Sequence, residues 1–326
     1  MMSAEKKFGK DFLGNNKSTS LRRKFRTEFH VATLGWSFYE YGHEGEQKPD
    51  EFCRTLEQLQ VQLEKKKLKI ELLLCAGLTV RAERKSNFAK TLTQLSLRNI
   101  STIVFELQKK IASGESTNVY SLYNSELAGL KHFPKQIFGK TYGSKPKKDA
   151  ITKKKCLKLQ EQLLEGRRSF SIGKKNFVLL ICGENNGIKG NKVAMIEPLI
   201  AKWAHSFKST QKIADIFASS ILLNPAHNPY KIDGDKRLKM MQHVTKGPID
   251  YSWGTNEMCF QIPVYLHANN NYSAKSKKYE NDNKKICSKR HNGIFLFRHG
   301  KKPKVVSFVE GDDLNFLVNV WSVPAF

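Results

Sequence analysis

The chain has 326 residues, with 56 lysines and arginines against 30 acidic residues, for a formal net charge of +26. Hydrophobic residues make up 40% of the sequence, which provides for a packed core and argues against a wholly disordered chain. This length predicts one large domain. The charge would attract nucleic acid or anionic surfaces, but lysines spread along the chain are equally compatible with solvated faces, so nucleic-acid binding stays open.

Cysteine usage argues against a structural metal or a disulfide framework. Six cysteines are irregularly spaced and none belongs to a CxxC pair. We therefore predict a reducing, cytoplasmic environment and no metal site. The N-terminus has no apolar signal-peptide core, and no apolar run approaches 18 residues, so no membrane association is expected.

The first part of the chain predicts a basic tail followed by a crossover unit. Residues 1–26 are polar and basic, and we interpret them as a flexible tail before a single domain over residues 27–326. Residues 29–36 and 70–75 are rich in strand formers. Residues 50–67 repeat apolar positions at the three- and four-residue spacing of an amphipathic helix. Strand, helix and strand at this spacing indicate a layered α/β fold.

A second unit follows with the same alternation. Residues 87–97 favour a helix, residues 101–107 a strand, and residues 119–130 a strand with a tight turn. The lysine-rich residues 140–158 are typical of an exposed loop, which would lead into a helix over residues 158–164.

The most apolar segment, residues 176–182, predicts a central strand buried on both faces, and a glycine turn follows it. Residues 196–207 favour a helix and residues 219–224 a second buried strand. The last third of the chain is strand-rich, with candidate strands at residues 258–267, 293–299, 305–309 and 316–323.

Cys182 is the candidate nucleophile because it ends the central strand just before a turn. The strand would hold the sulfur rigidly, the turn would expose it, and backbone N–H groups after the turn could face an oxyanion. The alternative is a buried structural cysteine, since free cysteine is commonly buried.

The residues around Cys182 resemble the nucleophile region of the nitrilase superfamily of carbon–nitrogen hydrolases. The sequence FVLLICGENNG contains the cysteine, and ADIFASSILLNPAHNP follows further along. In that family an apolar strand ends in the catalytic cysteine, and an Ala-Asp pair, a buried strand and an Asn-Pro turn follow. Here Ala214-Asp215 and Asn224-Pro225 stand in those positions. The resemblance covers residues 29–323 in element order and implies a four-layer α–β–β–α sandwich.

Upstream, LYNSELAGLKHFPKQIFG resembles the family's segment that carries the catalytic lysine, with Lys135 at the matching position and Lys131 as the alternative. The resemblance implies that Cys182 attacks an amide or nitrile carbon while the Lys135 ammonium stabilises the tetrahedral intermediate. A glutamate moves the proton, ammonia or an amine leaves, and water hydrolyses the thioester. No cofactor is implied.

One departure from the family pattern concerns the glutamate. In the family it follows a proline at the end of the second strand, but here that strand ends in Cys75-Ala76-Gly77, and Gly77 takes its place. Glycine cannot move a proton, and loss of a general base typically slows a reaction by about 10²–10⁴-fold. Either the site is degenerate, or another carboxylate substitutes, or the alignment is displaced. The carboxylates that come into question are Glu184, Glu165, Glu71 and Glu83.

We predict that Glu184 is the substitute, with a salt-bridged supporting role as the alternative. Asn185 and His227 are predicted to bind substrate, although His227 also fits a structural turn histidine. The predicted function is amidase-type hydrolysis of a small amide or nitrile, and the resemblance implies a homodimer. The alternative is a catalytically degenerate nitrilase-like binding or effector module, associated with nucleic acid.

Overall fold

The computed structural model describes the strands, most of the helices and several connections of the chain. The described residues are 28–36, 49–77, 80–82, 85–110, 116–126, 129–137, 146–187, 206–226, 249–253, 256–260, 262–268, 293–297, 305–311 and 316–324. The basic tail predicted over residues 1–26 lies outside these ranges.

The first sheet contains the two strands of the predicted crossover unit at its centre. Its strands are β1 (His30–Trp36), β2 (Leu72–Cys75), β3 (Val80–Ala82), β4 (Thr102–Lys110), β5 (Ser116–Asn124), β6 (Leu130–His132), β14 (Val305–Glu310) and β15 (Phe316–Ser322). Within the described residues they follow the order β14–β15–β1–β2–β4–β5–β6, with β3 also paired to β4. The pairs β1–β2 and β2–β4 are parallel, so their carboxyl ends meet at one edge.

Two helices, α1 (Pro49–Lys65) and α2 (Lys85–Gln94), cover one face of this sheet. The ring of Phe52 in α1 lies 5.5 Å from that of Phe105 in β4, and the ring of Phe88 in α2 lies 5.8 Å from it. The apolar stripe predicted for the first helix is fully buried, at Phe52, Leu56, Leu59 and Leu63. The amphipathic pattern therefore predicts this helix correctly, because burial of its apolar face against the sheet stabilises it.

The second sheet contains the segment before Cys182. Its strands are β7 (Ser169–Ile172), β8 (Lys175–Leu179), β9 (Ser220–Pro225), β12 (Val264–Ala268) and β13 (Gly293–Phe297), in the order β13–β12–β9–β8–β7. The central pairs β8–β9 and β9–β12 are parallel. A separate hairpin joins β10 (Ile249–Trp253) to β11 (Asn256–Phe260).

Two further helices accompany the second sheet, α3 (Pro146–Leu164) and α4 (Phe207–Ala218). They contact each other, and α4 also contacts β9. The loop predicted over residues 140–158 is wrong from residue 146 onward, because lysine is a good helix former and a solvated face need not be a loop. The helix predicted over residues 196–207 falls outside the described residues apart from its last two positions.

The C-terminal end of α3 aims the chain back toward the second sheet. Gly166 adopts a φ of +68°, its N–H donates to the Leu163 carbonyl, and the Arg167 N–H donates to the Gln162 carbonyl. This is the Schellman arrangement, in which glycine accepts the left-handed conformation without strain. It fixes the position of Arg168, two residues beyond the glycine.

The two sheets pack face to face, with β1 and β2 of the first against β9 and β12 of the second. Apolar side chains of both sheets form one continuous core between them. The predicted α/β class, with sheets flanked by helices, is confirmed, while the four-layer order stays a prediction. In the described part of the chain, no helix is both long and apolar enough to span a membrane.

Candidate active site

Cys182 has an unusual backbone conformation at the carboxyl end of the second sheet. The strand β8 ends at Leu179, earlier than predicted, and Cys182 begins a short 3-10 helix, Cys182–Gly187. The cysteine has a φ of +45° and is half-buried, packing against the core between the sheets. A non-glycine residue held in this region costs about 1–3 kcal/mol, and such residues cluster at functional sites.

Asn224, near the end of β9, holds the backbone around Cys182. Its Nδ2 donates to the carbonyl oxygens of Leu180 and Cys182, the latter at 3.1 Å. Its Oδ1 accepts from the Tyr265 hydroxyl at 3.1 Å and lies 2.9 Å from His267 Nδ1. The asparagine and both of its β12 neighbours are buried. Asn224 therefore ties the backbone of the strained cysteine to two parallel strands, β9 and β12.

A buried ion pair supports the same turn from the other side. Glu184 and Arg168 are both fully buried. Arg168 Nη1 donates to Glu184 Oε2 at 2.8 Å, and its Nη2 donates to Oε1 at 3.0 Å. Two parallel hydrogen bonds of this kind are among the strongest that side chains form.

The ion pair also fixes the segment that carries Lys135. Arg168 Nη2 donates to the Lys135 carbonyl at 3.0 Å, and the Ile137 N–H donates to Glu184 Oε1 at 2.7 Å. The Ile181 N–H donates to Glu184 Oε2 at 2.7 Å. One carboxylate thus joins the cysteine turn, the Lys135 segment and the chain after α3.

This geometry favours the supporting role for Glu184 over the proton-transfer role that the sequence also predicts. Both oxygens accept hydrogen bonds from the guanidinium and from backbone N–H groups. Burial raises the pKa of the carboxyl above its ordinary value, although Arg168 and those N–H groups act to lower it. Because every partner is a hydrogen-bond donor, both oxygens are engaged as acceptors.

The lysines of the upstream segment differ in their surroundings. Lys135 has an exposed side chain, although its backbone is fixed by Arg168. Lys131, the alternative, donates to the Ser169 carbonyl at 3.2 Å and lies 5.9 Å from the centre of the Phe133 ring. Lys131 is therefore engaged on the surface of β6, and Lys135 remains the better candidate cation.

Gly77 lies where the first sheet meets the second. Its N–H donates to the Ala226 carbonyl at 2.9 Å, just beyond β9. Since Ala226 follows β9 and Cys182 follows the parallel strand β8, Gly77 and Cys182 lie at the same edge of the sandwich. Gly77, the position that the resemblance assigns to the glutamate, therefore lies at the edge of the sandwich that carries Cys182, and it has no side chain.

The remaining carboxylates that the sequence brings into question lie elsewhere. Glu71 accepts from the His30 N–H at 2.7 Å, at the amino end of β2 and so at the opposite edge. Glu165 pairs with Arg167 at the surface. Glu83 lies outside the described residues, as does His227, and the side chain of Asn185 is not described. The predicted substrate-binding roles of Asn185 and His227 therefore stay predictions.

Among the four cysteines whose side chains the structure describes, Cys53, Cys75, Cys156 and Cys182, the last is the one that solvent reaches most easily, which predicts selective alkylation. Burial raises the pKa of Cys53 to about 11 and that of Cys156 to about 12, and it raises that of Cys75 well above its ordinary value. Thiols react as thiolates. At pH 7 iodoacetamide should therefore label Cys182 before the other three, as peptide mass mapping over time would measure. Equal, slow labelling of all four would contradict an activated thiol.

Sequence reasoning missed two residues, Arg168 and Glu106, and the hydrogen-bonding role of a third, Asn224. Arg168 gave no signal, since it is one of 56 basic residues. The role of Asn224 was hidden because the Asn-Pro pair reads as a turn. Glu106, a buried carboxylate in β4, could have been found as the lone charge in the apolar run STIVFEL.

Comparison with known proteins gives matches among solved structures. No family model and no curated protein matches the chain. The NitN amidase from Nesterenkonia sp. AN1 matches with a TM-score of 0.47 and 11% identity, over 91% of this chain and 93% of that chain. A cysteine-to-alanine variant of the Nesterenkonia AN1 amidase, from the nitrilase superfamily, matches with a TM-score of 0.46 and 9% identity, over 91% of each chain.

The glutamine-dependent NAD+ synthetase from Acinetobacter baumannii, in complex with ADP, matches with a TM-score of 0.47 and 12% identity, over 92% of this chain and 48% of that chain. The matched structures thus include amidases of the nitrilase superfamily.

Proposed function

We propose that the chain is a carbon–nitrogen hydrolase of the amidase type that uses Cys182 as its nucleophile. The observation that carries this proposal is the half-buried cysteine at φ +45°, at the end of a buried parallel strand, with its carbonyl fixed by Asn224. Backbone strain of this kind persists only where the surroundings impose it, and it orients a nucleophile toward a cleft.

The reaction would proceed through a thioester. The Cys182 sulfur attacks the amide carbon, a carbon–sulfur bond forms, and the carbonyl electrons move to oxygen. The carbon–nitrogen bond then breaks and the amine leaves with a proton. Water attacks the thioester, the carboxylic acid is released and the thiol is restored.

Lys135 is the group that we assign to the negative intermediate. Its segment and the Cys182 turn are fixed by the same Glu184–Arg168 pair, which supports a constant separation between them. An ammonium aimed at an oxyanion stabilises the transition state electrostatically. The substrate class is a small amide or nitrile.

Hydrolysis can be tested by release of ammonia from acetamide, butyramide and related aliphatic amides. The full chain should release ammonia, and the Cys182→Ala variant should fall to the uncatalysed background because no thioester can form. Cys53→Ala is the matched control, since Cys53 is buried in α1, and it should retain the activity. Ammonia release by the Cys182→Ala variant at the wild-type rate would refute the assignment of the nucleophile.

A binding module is the second candidate function, favoured by Gly77 and by the net charge of +26. In that case the site would bind a ligand without turnover, and the basic surface would contact nucleic acid. A gel-shift assay with duplex DNA over a salt series tests it. When lysines and arginines bind phosphates, the logarithm of the binding constant falls linearly with the logarithm of the salt concentration. Absence of binding at low salt would eliminate this candidate.

A further inference from the structure

Two acidic side chains are buried among the described residues, Glu184 and Glu106, the latter 2% exposed. Glu184 is committed to Arg168 and to backbone N–H groups. Glu106 lies in the middle of β4 and is buried. Buried carboxylates are uncommon in proteins, so Glu106 is a candidate for a functional role.

The register of the first sheet places Glu106 beside Gly77. In the parallel pair β2–β4, Leu74 is opposite Val104. In the parallel pair β3–β4, Val80 is opposite Leu107. Glu106 therefore lies between the end of one pairing and the start of the other, alongside the connection between β2 and β3 that contains Gly77.

The side chain of Glu106 faces the second sheet. Phe105 packs its ring against Phe52 and Phe88 of the two covering helices, which defines the helical face of β4. Successive side chains of a strand point to opposite faces, so Glu106 points toward the core between the sheets. Cys182 packs against that same core.

Tyr120 is the cross-strand neighbour of Glu106 on this face. It lies directly opposite Glu106 in the antiparallel pair β4–β5 and is 1% exposed. The pKa of its hydroxyl is raised well above its ordinary value by burial and then by Glu106, Cys182, Cys75 and Glu184. The carboxylate and the sulfur thus both influence this phenol electrostatically.

We propose that Glu106 is the carboxylate that moves the proton in the Cys182 reaction. This inference rests on the proposed function. Glu106 accepts the thiol proton as the carbon–sulfur bond forms and gives it to the nitrogen as the carbon–nitrogen bond breaks. It then accepts a proton from the attacking water and returns it to the sulfur as the thioester is cleaved.

The two half-reactions of p-nitrophenyl acetate separate this role from a structural one. Its leaving group departs without a proton, so acetylation of Cys182 needs little acid catalysis, whereas hydrolysis of the acetyl thioester needs a base for water. In full-length Glu106→Gln, the p-nitrophenolate burst should slow, because the thiol loses its base, but it should still reach the wild-type amplitude. The following turnover should slow by about 10²–10⁴-fold, and the acetyl adduct on Cys182 should accumulate in mass spectra. Glu106→Asp, which keeps the carboxylate, should recover part of the turnover.

Turnover by Glu106→Gln at the wild-type rate would overturn the inference while leaving the nucleophile in place. Loss of the burst amplitude together with turnover would also overturn it, because that is the signature of a misfolded site. If Glu106→Gln does not fold, the aspartate variant decides: its shorter side chain withdraws the carboxylate, so deacetylation at the wild-type rate in that variant would exclude Glu106 as the base. Absence of a Cys182 adduct in the wild type, judged against Cys182→Ala, would overturn the proposed function itself.

Discussion

Replacing Glu184 by alanine is expected to lower the free energy of unfolding by about 3–5 kcal/mol, since removal of one partner of a buried ion pair leaves the other charge uncompensated. The Arg168 guanidinium is fully buried and would lose both of its bonds to the carboxylate. The N–H groups of Ile137 and Ile181 would lose their acceptor as well. Urea denaturation of wild type and variant measures the difference.

Arg167, the neighbour of Arg168, offers a matched control. It pairs with Glu161 and Glu165 at the surface, where its side chain is 48% exposed. Exposed pairs contribute about 0–1 kcal/mol, so Glu165→Ala should change the stability by no more than that. A similar, small effect of both alanine variants would contradict the supporting role of Glu184.

Glu184→Gln separates support from proton transfer. If Glu184 moved the proton, the glutamine variant would keep most of its stability and lose turnover. The observed contacts predict a loss of stability instead, because the glutamine amide nitrogen would face a guanidinium or a backbone N–H, both of which are donors. We therefore expect the free energy of unfolding to fall in this variant, and turnover to fall together with it.

Local pattern explains how much of the fold could be predicted. The buried strands β1, β2, β8 and β9 are short apolar runs, and α1 has a three- and four-residue apolar repeat, so sequence neighbours alone specify these elements. The lysine-rich start of α3 shows the limit of composition, since charge indicates solvation and does not distinguish a loop from a helix.

The candidate site is harder because its contacts join distant segments. The prediction of Glu184 as the acid–base residue followed from its position two residues after Cys182. In the fold, that closeness places the carboxylate beneath the turn, against Arg168. Glu106 is 76 positions from Cys182 in sequence numbering, and only the pairing of β4 and the packing of the two sheets turn both residues toward the same core. Pairings of this kind cannot be read from a single sequence without its topology.

Asn224→Ala is expected to destabilise the chain and to slow the Cys182 reaction together. Each buried polar group that loses its partner costs about 1–3 kcal/mol, and the substitution removes the donor to two carbonyls and the acceptor shared by Tyr265 and His267. We expect a loss of about 3 kcal/mol or more in urea denaturation. The p-nitrophenyl acetate burst should slow by about 10²-fold, the effect of misplacing a reacting atom by about 1 Å.

Tyr265→Phe is the matched control for this prediction. It removes one hydroxyl that donates to Asn224 and leaves the amide bonds to the Cys182 and Leu180 carbonyls in place. Its cost should be about 0.5–1.5 kcal/mol, with the burst rate kept. Comparing the two variants therefore separates the Asn224 Nδ2 donor from its Oδ1 acceptor, and we expect the donor to be the group that maintains Cys182 at φ +45°. An Asn224→Ala variant with a wild-type burst would mean that the strand end and the 3-10 turn hold the sulfur without it.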